Sequence, residues 1–365
     1  MRKLEKRNKS LRTALTALFL AVVLASCGAA GNAVDSGASD NAAASNAGEG
    51  PAAGNEGNES GKGEKVRIGY LNVMDDAQAI LAYRAGLYEK HGLDVEMTLF
   101  TSGTDLIKQM VGGNLDAGVL GFTNALSWID KGSDLKIVGG AQMGYHAMLV
   151  APDSGIESIA DLEGKVVASQ KQGSTADIVL NGVVFKEAGL TREDVTVQGV
   201  SPAVAIQSLA SGTVDAAFVF EPYSSIAKMS YGAQQIYEIG ESWPFPCMVV
   251  ITTGEMMEKN KDVVYKMLDA QKEAIEMLEN NPAEAAKHIT DDFIQEDEVE
   301  TVDGSKIPAE EVVQAAIESQ EFRWDITEED IARMEEIAQF MVEQGIVQNK
   351  IDVNQALDLS WQEQL

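Results

Sequence analysis

Residues 113–117 read Gly-Asn-Leu-Asp-Ala, and residues 212–216, which lie 99 positions later, read Gly-Thr-Val-Asp-Ala. In both copies a predicted helix ends at the glycine, which can adopt a positive φ after the last helical turn. The Asp-Ala pair then opens a short apolar strand. The apolar position Ile107 matches Ile206 at the same offset. This shared register predicts two copies of one strand-and-helix architecture.

Strands and helices alternate on both sides of this repeat. The first copy is predicted to contain strands 66–71, 95–100, 117–121 and 135–139, with helices 78–91, 104–112 and 123–131. The second is predicted to contain strands 165–169, 195–199 and 216–220, with helices 174–188, 202–211 and 223–230. Four further helices are predicted at 255–280, 282–290, 308–320 and 328–344. This alternation is typical of an α/β fold with mostly parallel sheets flanked by helices, and it predicts two lobes.

The chain is predicted to cross between the two lobes twice, near residues 151–152 and near residues 243–246. The first lobe would comprise residues 66–150 and 247–365, including the C-terminal helices, and the second lobe residues 151–246. Two crossings form a hinge that can close on a ligand. The sequence therefore predicts a binding cleft between the lobes.

Loops at the carboxyl ends of the strands are the candidate walls of this cleft. In open α/β sheets, ligands bind beyond these strand ends, where helix N-termini present free N–H groups. In the first lobe the candidate ligand-binding residues are Asn72, Asp75, Ser102, Gly103, Phe122, Thr123, Asn124 and Gln142. In the second lobe they are Gly173, Ser174, Thr175, Ser201, Glu221 and Tyr223, with Trp243 at the second crossing.

Several candidates also have a purely structural interpretation. Ser174 precedes Asp177 by three residues and could cap a helix, contact the ligand, or do both. Asp75 could bind an ammonium group or simply start a helix. Glu221 could contact the ligand or support the hinge, and Trp243 could stack on a flat ligand or cover the hinge.

Composition excludes several classes of function. The 365 residues include 57 acidic and 28 basic side chains, a net charge of -29, so no nucleic-acid partner is predicted. Only two cysteines are present, Cys27 and Cys247, and only three histidines. These numbers leave no multi-cysteine or clustered-histidine metal site. No nucleophile-elbow, phosphate-loop or dinucleotide-binding motif occurs, so neither a cofactor nor an enzymatic activity is predicted.

The N-terminus has the pattern of a secretion signal. Six basic residues precede an apolar run over residues 14–23, which is too short to span a bilayer. The run ends in Leu-Ala-Ser-Cys at residues 24–27, which resembles the lipobox of bacterial lipoproteins. That resemblance implies removal of residues 1–26 and diacylation of Cys27. The alternative is an ordinary signal peptide followed by a fortuitous cysteine.

Residues 27–65 would comprise the lipidated cysteine and a disordered tether. The segment is rich in Gly, Ala, Asn, Ser and Glu and has no aromatic residue, so it cannot bury enough apolar surface to fold. Two acyl chains suffice for stable anchoring. The predicted location is the outer face of the cytoplasmic membrane, in a Gram-positive-type envelope, with no contact to the membrane except the lipid.

Longer motifs resemble one family of transport proteins. They are Arg-Ala-Gly-Leu-Tyr-Glu-Lys-His-Gly-Leu at 84–93, Ile-Ala-Asp-Leu-Glu-Gly-Lys at 159–165, Gly-Ser-Thr at 173–175 and Glu-Pro-Tyr at 221–223. The chain resembles the substrate-binding lipoproteins of ABC importers for aliphatic sulfonates, taurine, nitrate or the thiamine pyrimidine precursor. The resemblance implies a type II periplasmic-binding-protein-like fold and a monomer that delivers a small polar or anionic solute to an ABC permease. It also implies that residues 173–175 and 122–124 hold the anionic group of the solute.

Two positions depart from the sulfonate-binding pattern. Ala176 and Asp177 follow Thr175 where many members place a histidine, and Phe122 stands where sulfonate binders carry an acidic residue. The alternative ligand is a thiamine pyrimidine precursor or another flat heterocycle. The alternative functions are an enzyme resembling the thiamine pyrimidine synthase and a sensory lipoprotein. The synthase needs a cysteine-rich motif, whereas Cys247 stands alone.

Overall fold

Short apolar strands form two five-stranded sheets in the computed structural model, which describes residues 63–365. The first sheet has the order β2 (Leu93–Phe100), β1 (Glu64–Leu71), β3 (Ala117–Gly121), β10 (Pro246–Thr253) and β4 (Leu135–Met143). The second has the order β7 (Thr196–Gly199), β6 (Val166–Ser169), β8 (Ala216–Val219), β5 (Ala147–Val150) and β9 (Gln234–Glu238). Only β10 and β5 run antiparallel to their neighbours. The predicted α/β fold with two mostly parallel sheets is confirmed.

Helices follow the strands in both halves. The first half contains α1 (Ala77–Arg84), α2 (Leu87–Lys90), α3 (Gly103–Val111) and α4 (Phe122–Ile129). The second contains α5 (Thr175–Val179), α6 (Phe185–Glu187), α7 (Pro202–Ala210), α8 (Tyr223–Tyr231) and α9 (Ile239–Ser242). After β10 come α10 (Gly254–Lys259), α11 (Lys261–Asn280), α12 (Pro282–Phe293), a hairpin of β11 (Glu298–Glu300) and β12 (Lys306–Pro308), α13 (Ala309–Glu318), α14 (Glu328–Glu343) and α15 (Val353–Ala356). The predicted signal peptide, Cys27 and residues 28–62 of the tether lie outside the described residues.

Three predicted helices are interrupted. The helix predicted over 78–91 breaks at Gly86, whose φ of 69° lies in the left-handed region. The one predicted over 255–280 is divided into α10 and α11. The one predicted over 174–188 contains a π-helical turn at Leu180–Val184 between α5 and α6.

The repeat extends far beyond the quoted motif. Four pairs of elements begin 99 residues apart, namely α3 and α7, β3 and β8, β4 and β9, and β5 and β10. However, β5 leaves the first half and inserts between β8 and β9, while β10 leaves the second half and inserts between β3 and β4. The two copies therefore exchange their last strand, and this exchange links the lobes.

The repeated aspartate has a local structural role. A side-chain oxygen of Asp116 accepts the backbone N–H of Arg67 in β1 at 2.8 Å. The equivalent Asp215 accepts the backbone N–H of Val166 in β6, also at 2.8 Å. Each carboxylate thus satisfies a backbone donor of the neighbouring parallel strand. This contact explains why both copies begin the strand with Asp-Ala.

The first crossing lies earlier than predicted. Because β5 hydrogen-bonds to β8 and β9, residues 147–150 belong to the second sheet, although the predicted first lobe extended to Val150. The crossing therefore runs over residues 144–146. The chain returns to the first sheet at Pro246, where β10 begins. The boundary was misplaced because nothing local in an apolar strand indicates which sheet it joins.

The C-terminal segment contacts both halves. Residues 321–324 run along β4, and the backbone N–H groups of Gly140 and Met143 donate to carbonyls of this stretch. Helix α13 packs on α8, and α14 packs on α4 and α5. The segment therefore spans the boundary between the lobes.

Within residues 63–365, no helix combines the length and the apolar character needed to span a membrane.

Candidate functional site

Two of the predicted loops meet directly between the lobes. The hydroxyl oxygens of Thr123, at the start of α4, and Thr175, at the start of α5, lie 2.8 Å apart and form a hydrogen bond. Both side chains are buried. The structure therefore brings together a strand-end loop of each sheet, as the carboxyl-end rule predicts.

Gly121 allows this close approach. Its backbone has φ -57° and ψ 128°, a conformation that other residues also adopt. A Cβ added here would lie 2.8 Å from the hydroxyl oxygen of Thr175, while the next neighbouring atoms would be at 3.7 Å or more. The absence of a side chain is thus required by the contact across the cleft.

The loop before α5 is held by Asp177. The backbone N–H of Gly173, whose φ is 84°, donates to the Asp177 carboxylate at 2.9 Å, and Ser174 Oγ accepts the N–H of Asp177 at 3.2 Å. Arg192 donates to the same carboxylate at 2.5 Å. Ser174 therefore caps the helix, which is one of its two predicted roles. The organising role of Asp177 was missed, although its spacing from Ser174 indicated it.

A cavity of about 310 Å³ lies where the second sheet meets the C-terminal segment. We call it the acidic cavity because its lining includes four carboxylates and one ammonium group. The charged and polar residues that line it are Tyr145, Glu221, Ser224, Lys228, Gln235, Glu238, Glu241, Glu318, Ser319 and Gln320. Of the sequence candidates, only Glu221 lines this cavity directly.

Burial opposes ionisation of Glu238, Glu221 and the neighbouring Asp75. It raises the pKa of Glu238 to about 7, and the neighbouring charge of Glu221 adds to the rise. Burial likewise raises the pKa of Glu221, which Lys228 at 3.8 Å opposes. For Asp75 burial raises the pKa well above its usual range, with further contributions from Glu221 and Glu238. The cavity thus gathers carboxyl groups that would need more positive charge than Lys228 supplies in order to ionise together.

Several buried polar atoms near the boundary between the lobes have no hydrogen-bond partner among the described residues. Ser224 lines the acidic cavity and is 2% exposed, yet its hydroxyl is unpaired. One side-chain oxygen of Asp75 is also unpaired. Gln142 donates to Gln320 at 3.0 Å, but its own carbonyl oxygen accepts nothing. Such atoms are rare in folded proteins unless a ligand or water satisfies them.

Other predicted residues lie elsewhere on the loops. Ser102 caps α3, and Ser201 and Asn72 are exposed. Phe122 is fully buried in the core. Trp243 is covered by the guanidinium group of Arg333, 4.4 Å above its ring.

The remaining candidates lie close to these loops. Asn124 lies next to Gly103. A Cβ added to Gly103 would be 3.1 Å from the side-chain amide nitrogen of Asn124. Tyr223 packs edge-on against Phe220. Sequence reasoning missed Tyr145, Ser224, Glu238 and Gln320, because no local motif marks them.

Replacing Glu238 with glutamine is expected to stabilise the ligand-free protein at pH 8 and to have little effect at pH 5. A carboxyl group with a folded-state pKa of about 7 binds more protons when folded than when unfolded, where its pKa is ~4.3. Its contribution to stability therefore falls as the pH rises between these values. The full difference corresponds to about 3–4 kcal/mol at pH 8. Urea unfolding of both proteins at pH 5, 6, 7 and 8 measures it.

The control is Glu276→Gln, at an exposed position on α11, whose difference curve should be flat. Burial lowers the pKa of His146 to about 4, which changes stability in the opposite sense. The contribution of His146 is the same in the wild type, Glu238→Gln and Glu276→Gln, so it cancels when the variants are compared with the wild type. A Glu238→Gln difference that does not grow between pH 5 and pH 8 would contradict the prediction.

Known proteins share this sequence and fold. A model of the NMT1-like family matches residues 59–290. A protein of Brucella abortus (strain 2308), named as a candidate binding protein, is 30% identical over 257 residues, which is 68% of this chain and 78% of that protein. The structure is similar to that of the periplasmic aliphatic sulphonate binding protein SsuA from Escherichia coli, with a TM-score of 0.69 and 23% identity, covering 82% of this chain and 98% of that chain. The desulfurization enzyme DSZB shares the fold at a TM-score of 0.59 and 14% identity, covering 82% of this chain and 98% of its own.

Two lobes linked by exchanged strands, with strand-end loops meeting between them, form the fold that this chain shares with the SsuA binding protein. The chain belongs to the NMT1-like family. Binding proteins of this family bind small solutes and work with ABC permeases, and this chain has that solute-binding role. The interpretation as an ABC substrate-binding protein is thereby confirmed.

Proposed function

We propose that the protein closes its two lobes on a small polar solute and delivers it, chemically unchanged, to an ABC permease. The observation that carries this proposal is the hydrogen bond between Thr123 and Thr175. A contact between the lobes at the predicted loops is available only in a closed form, and a ligand that binds the closed form shifts the population towards it. The permease can then distinguish the loaded receptor from the empty one.

The state of Cys247 supports a receptor that binds its solute without catalysing a reaction. The only cysteine among the described residues, Cys247, is fully buried, and burial raises the pKa of its thiol well above the usual range. A thiol in that state is a poor nucleophile. We further propose that the protein acts as a monomer, tethered by a lipidated Cys27 outside the cytoplasmic membrane of a Gram-positive-type envelope. The anchoring is supported by the N-terminal sequence pattern alone, and the monomeric state by the resemblance to substrate-binding lipoproteins.

A thermal-shift screen tests the proposed function. The panel contains taurine, short alkanesulfonates, nitrate, aromatic carboxylates, the thiamine pyrimidine and amino acids. A solute at one hundred times its Kd stabilises the folded state by ~2.7 kcal/mol. At ~2–4 °C per kcal/mol, this gives a rise in Tm of several degrees. Mass spectrometry of the recovered solute should show it unchanged, whereas conversion would indicate an enzyme.

The double variant Ser174→Ala/Thr175→Ala serves as the site control in this screen. It removes the cap of α5 and the hydrogen bond to Thr123, so the solute should bind at least tenfold more weakly. A panel without any hit, together with no small molecule released from the purified protein, would contradict the proposed function. Unchanged affinity in the double variant would contradict the placement of the site.

A further inference from the structure

The acidic cavity contains more carboxyl groups than positively charged groups. Four carboxylates line it, and the one ammonium group, Lys228, is a third exposed and lies 3.8 Å from Glu221. Glu241 and Glu318 have no ion-pair partner among the described residues, and Glu238 accepts backbone N–H groups, including that of Gly240 at 3.2 Å, but forms no ion pair. Charges brought together in a partly buried place raise the free energy of the folded state. A positively charged ligand would remove that destabilisation.

The cavity also offers hydrogen-bonding atoms that lack partners. Ser224 is 2% exposed, lines the cavity, and has an unpaired hydroxyl. Beside the cavity, Asp75 has one unpaired oxygen, and the backbone N–H of the adjacent Met74 contacts the carbonyl of Glu221. The Ser224 hydroxyl can accept as well as donate, so a ligand group that donates a hydrogen bond would satisfy it.

The loop expected to hold an anion is already occupied by a carboxylate. The N–H of Gly173 donates to Asp177, and the N–H of Ser174 donates to the carbonyl of Lys171. Arg192 neutralises Asp177 at 2.5 Å. An anionic group would have to displace this arrangement and approach a carboxylate. The arrangement therefore disfavours that loop as the main source of charge recognition.

The lining joins elements from both sides of the hinge. Glu221, Ser224 and Glu238 come from the second half, whereas Gln320 is held by Gln142 at the end of β4. Tyr145, in the first crossing, completes the wall. A group bound here would contact both halves at once, as closure on a solute requires. A volume of about 310 Å³ also exceeds what one bare metal ion fills, since its ligands lie ~2.0–2.6 Å away.

We propose that the acidic cavity binds an ammonium or amidinium group and that this group belongs to the solute captured between the lobes. The inference rests on the proposed function and narrows the solute class to compounds with a cationic nitrogen group, including zwitterions. The charged N–H groups would pair with Glu238 and Glu221 and donate to Ser224. Charge-assisted hydrogen bonds of this kind are about twice as strong as neutral ones.

Matched pairs of compounds test the proposal by thermal shift and calorimetry on the whole protein. The pairs are 2-aminoethanesulfonate with 2-hydroxyethanesulfonate, 2-phenylethylamine with 2-phenylethanol, and benzamidine with benzamide. In at least one pair the cationic member should raise the Tm while its neutral-group partner at the same concentration does not. Glu238→Gln should weaken binding of that cation at least tenfold, and Ser224→Ala should also weaken it. The exposed control Glu276→Gln should bind like the wild type.

The possible results distinguish failure of the cation-binding proposal from failure of the proposed function. If a solute binds but the hydroxyl or amide partner binds as tightly as the cation, the proposal is wrong and the proposed function stands. The proposal is also wrong, and the proposed function still stands, if only compounds without a cationic group bind. The same two conclusions follow if Glu238→Gln leaves the affinity for the cation unchanged. If no compound in either screen binds and no solute is released on denaturation, the proposed function itself fails, and the inference fails with it.

Discussion

Replacing Gly121 with alanine is expected to weaken solute binding at least tenfold while leaving the fold intact. The new methyl group would lie 2.8 Å from the hydroxyl of Thr175, whereas its next neighbours would be at 3.7 Å or more. The backbone at φ -57° and ψ 128° accepts alanine without strain. The clash therefore affects the closed contact between the lobes and little else. A tenfold loss corresponds to ~1.4 kcal/mol, measured by calorimetric titration of the solute found in the screen.

A double-mutant cycle with Thr175 provides the control. Thr175→Ala alone loses the hydrogen bond to Thr123 but removes the atom that the new methyl group meets. Adding Gly121→Ala to Thr175→Ala should therefore cost much less affinity than adding it to the wild type. Additive losses would show that the two residues do not meet when the solute binds. Wild-type affinity in the single Gly121→Ala variant would show that closure does not need this contact.

Replacing Phe245 with alanine is expected to destabilise the protein by about 3–5 kcal/mol. The side chain is fully buried in the second crossing, between the rings of Trp243 and His146. It also fills the space beside Gly144 in the first crossing, where a Cβ would lie 2.1 Å from its ring. At ~2–4 °C per kcal/mol, the Tm should fall by about 10 °C, which differential scanning calorimetry measures.

Gly144→Ala is the matched partner for this prediction. When Gly144→Ala is made in the wild-type background, the new methyl group would overlap the Phe245 ring and should destabilise the protein. In the Phe245→Ala background the ring is gone, so the same methyl group fits the cavity and should have little effect. A loss of less than about 1 kcal/mol for Phe245→Ala would contradict the role given to this residue in the hinge.

The site was only partly predictable from the sequence. The rule that ligands bind beyond strand ends made Thr123 and Thr175 candidates, because both follow an apolar strand and begin a helix, and the structure places their hydroxyls 2.8 Å apart. The same rule identified Glu221, which lines the acidic cavity. It could not identify Glu238 or Gln320, because neither belongs to a loop that follows a recognised strand. Their proximity to Glu221 arises from strand order and from the path of the C-terminal segment.

The sequence by itself determined the two-lobed α/β fold. Alternating apolar strands and helices depend on local periodicity, and the Gly-Asp-Ala register at an offset of 99 residues depends on local turns and strand starts. Both can be read from neighbouring residues. The tertiary structure alone decided the transfer of β5 to the second sheet, and with it the position of the first crossing and the walls of the acidic cavity. The physical reason is that an apolar strand can pair with either sheet, so its partner is chosen by long-range packing rather than by its own residues.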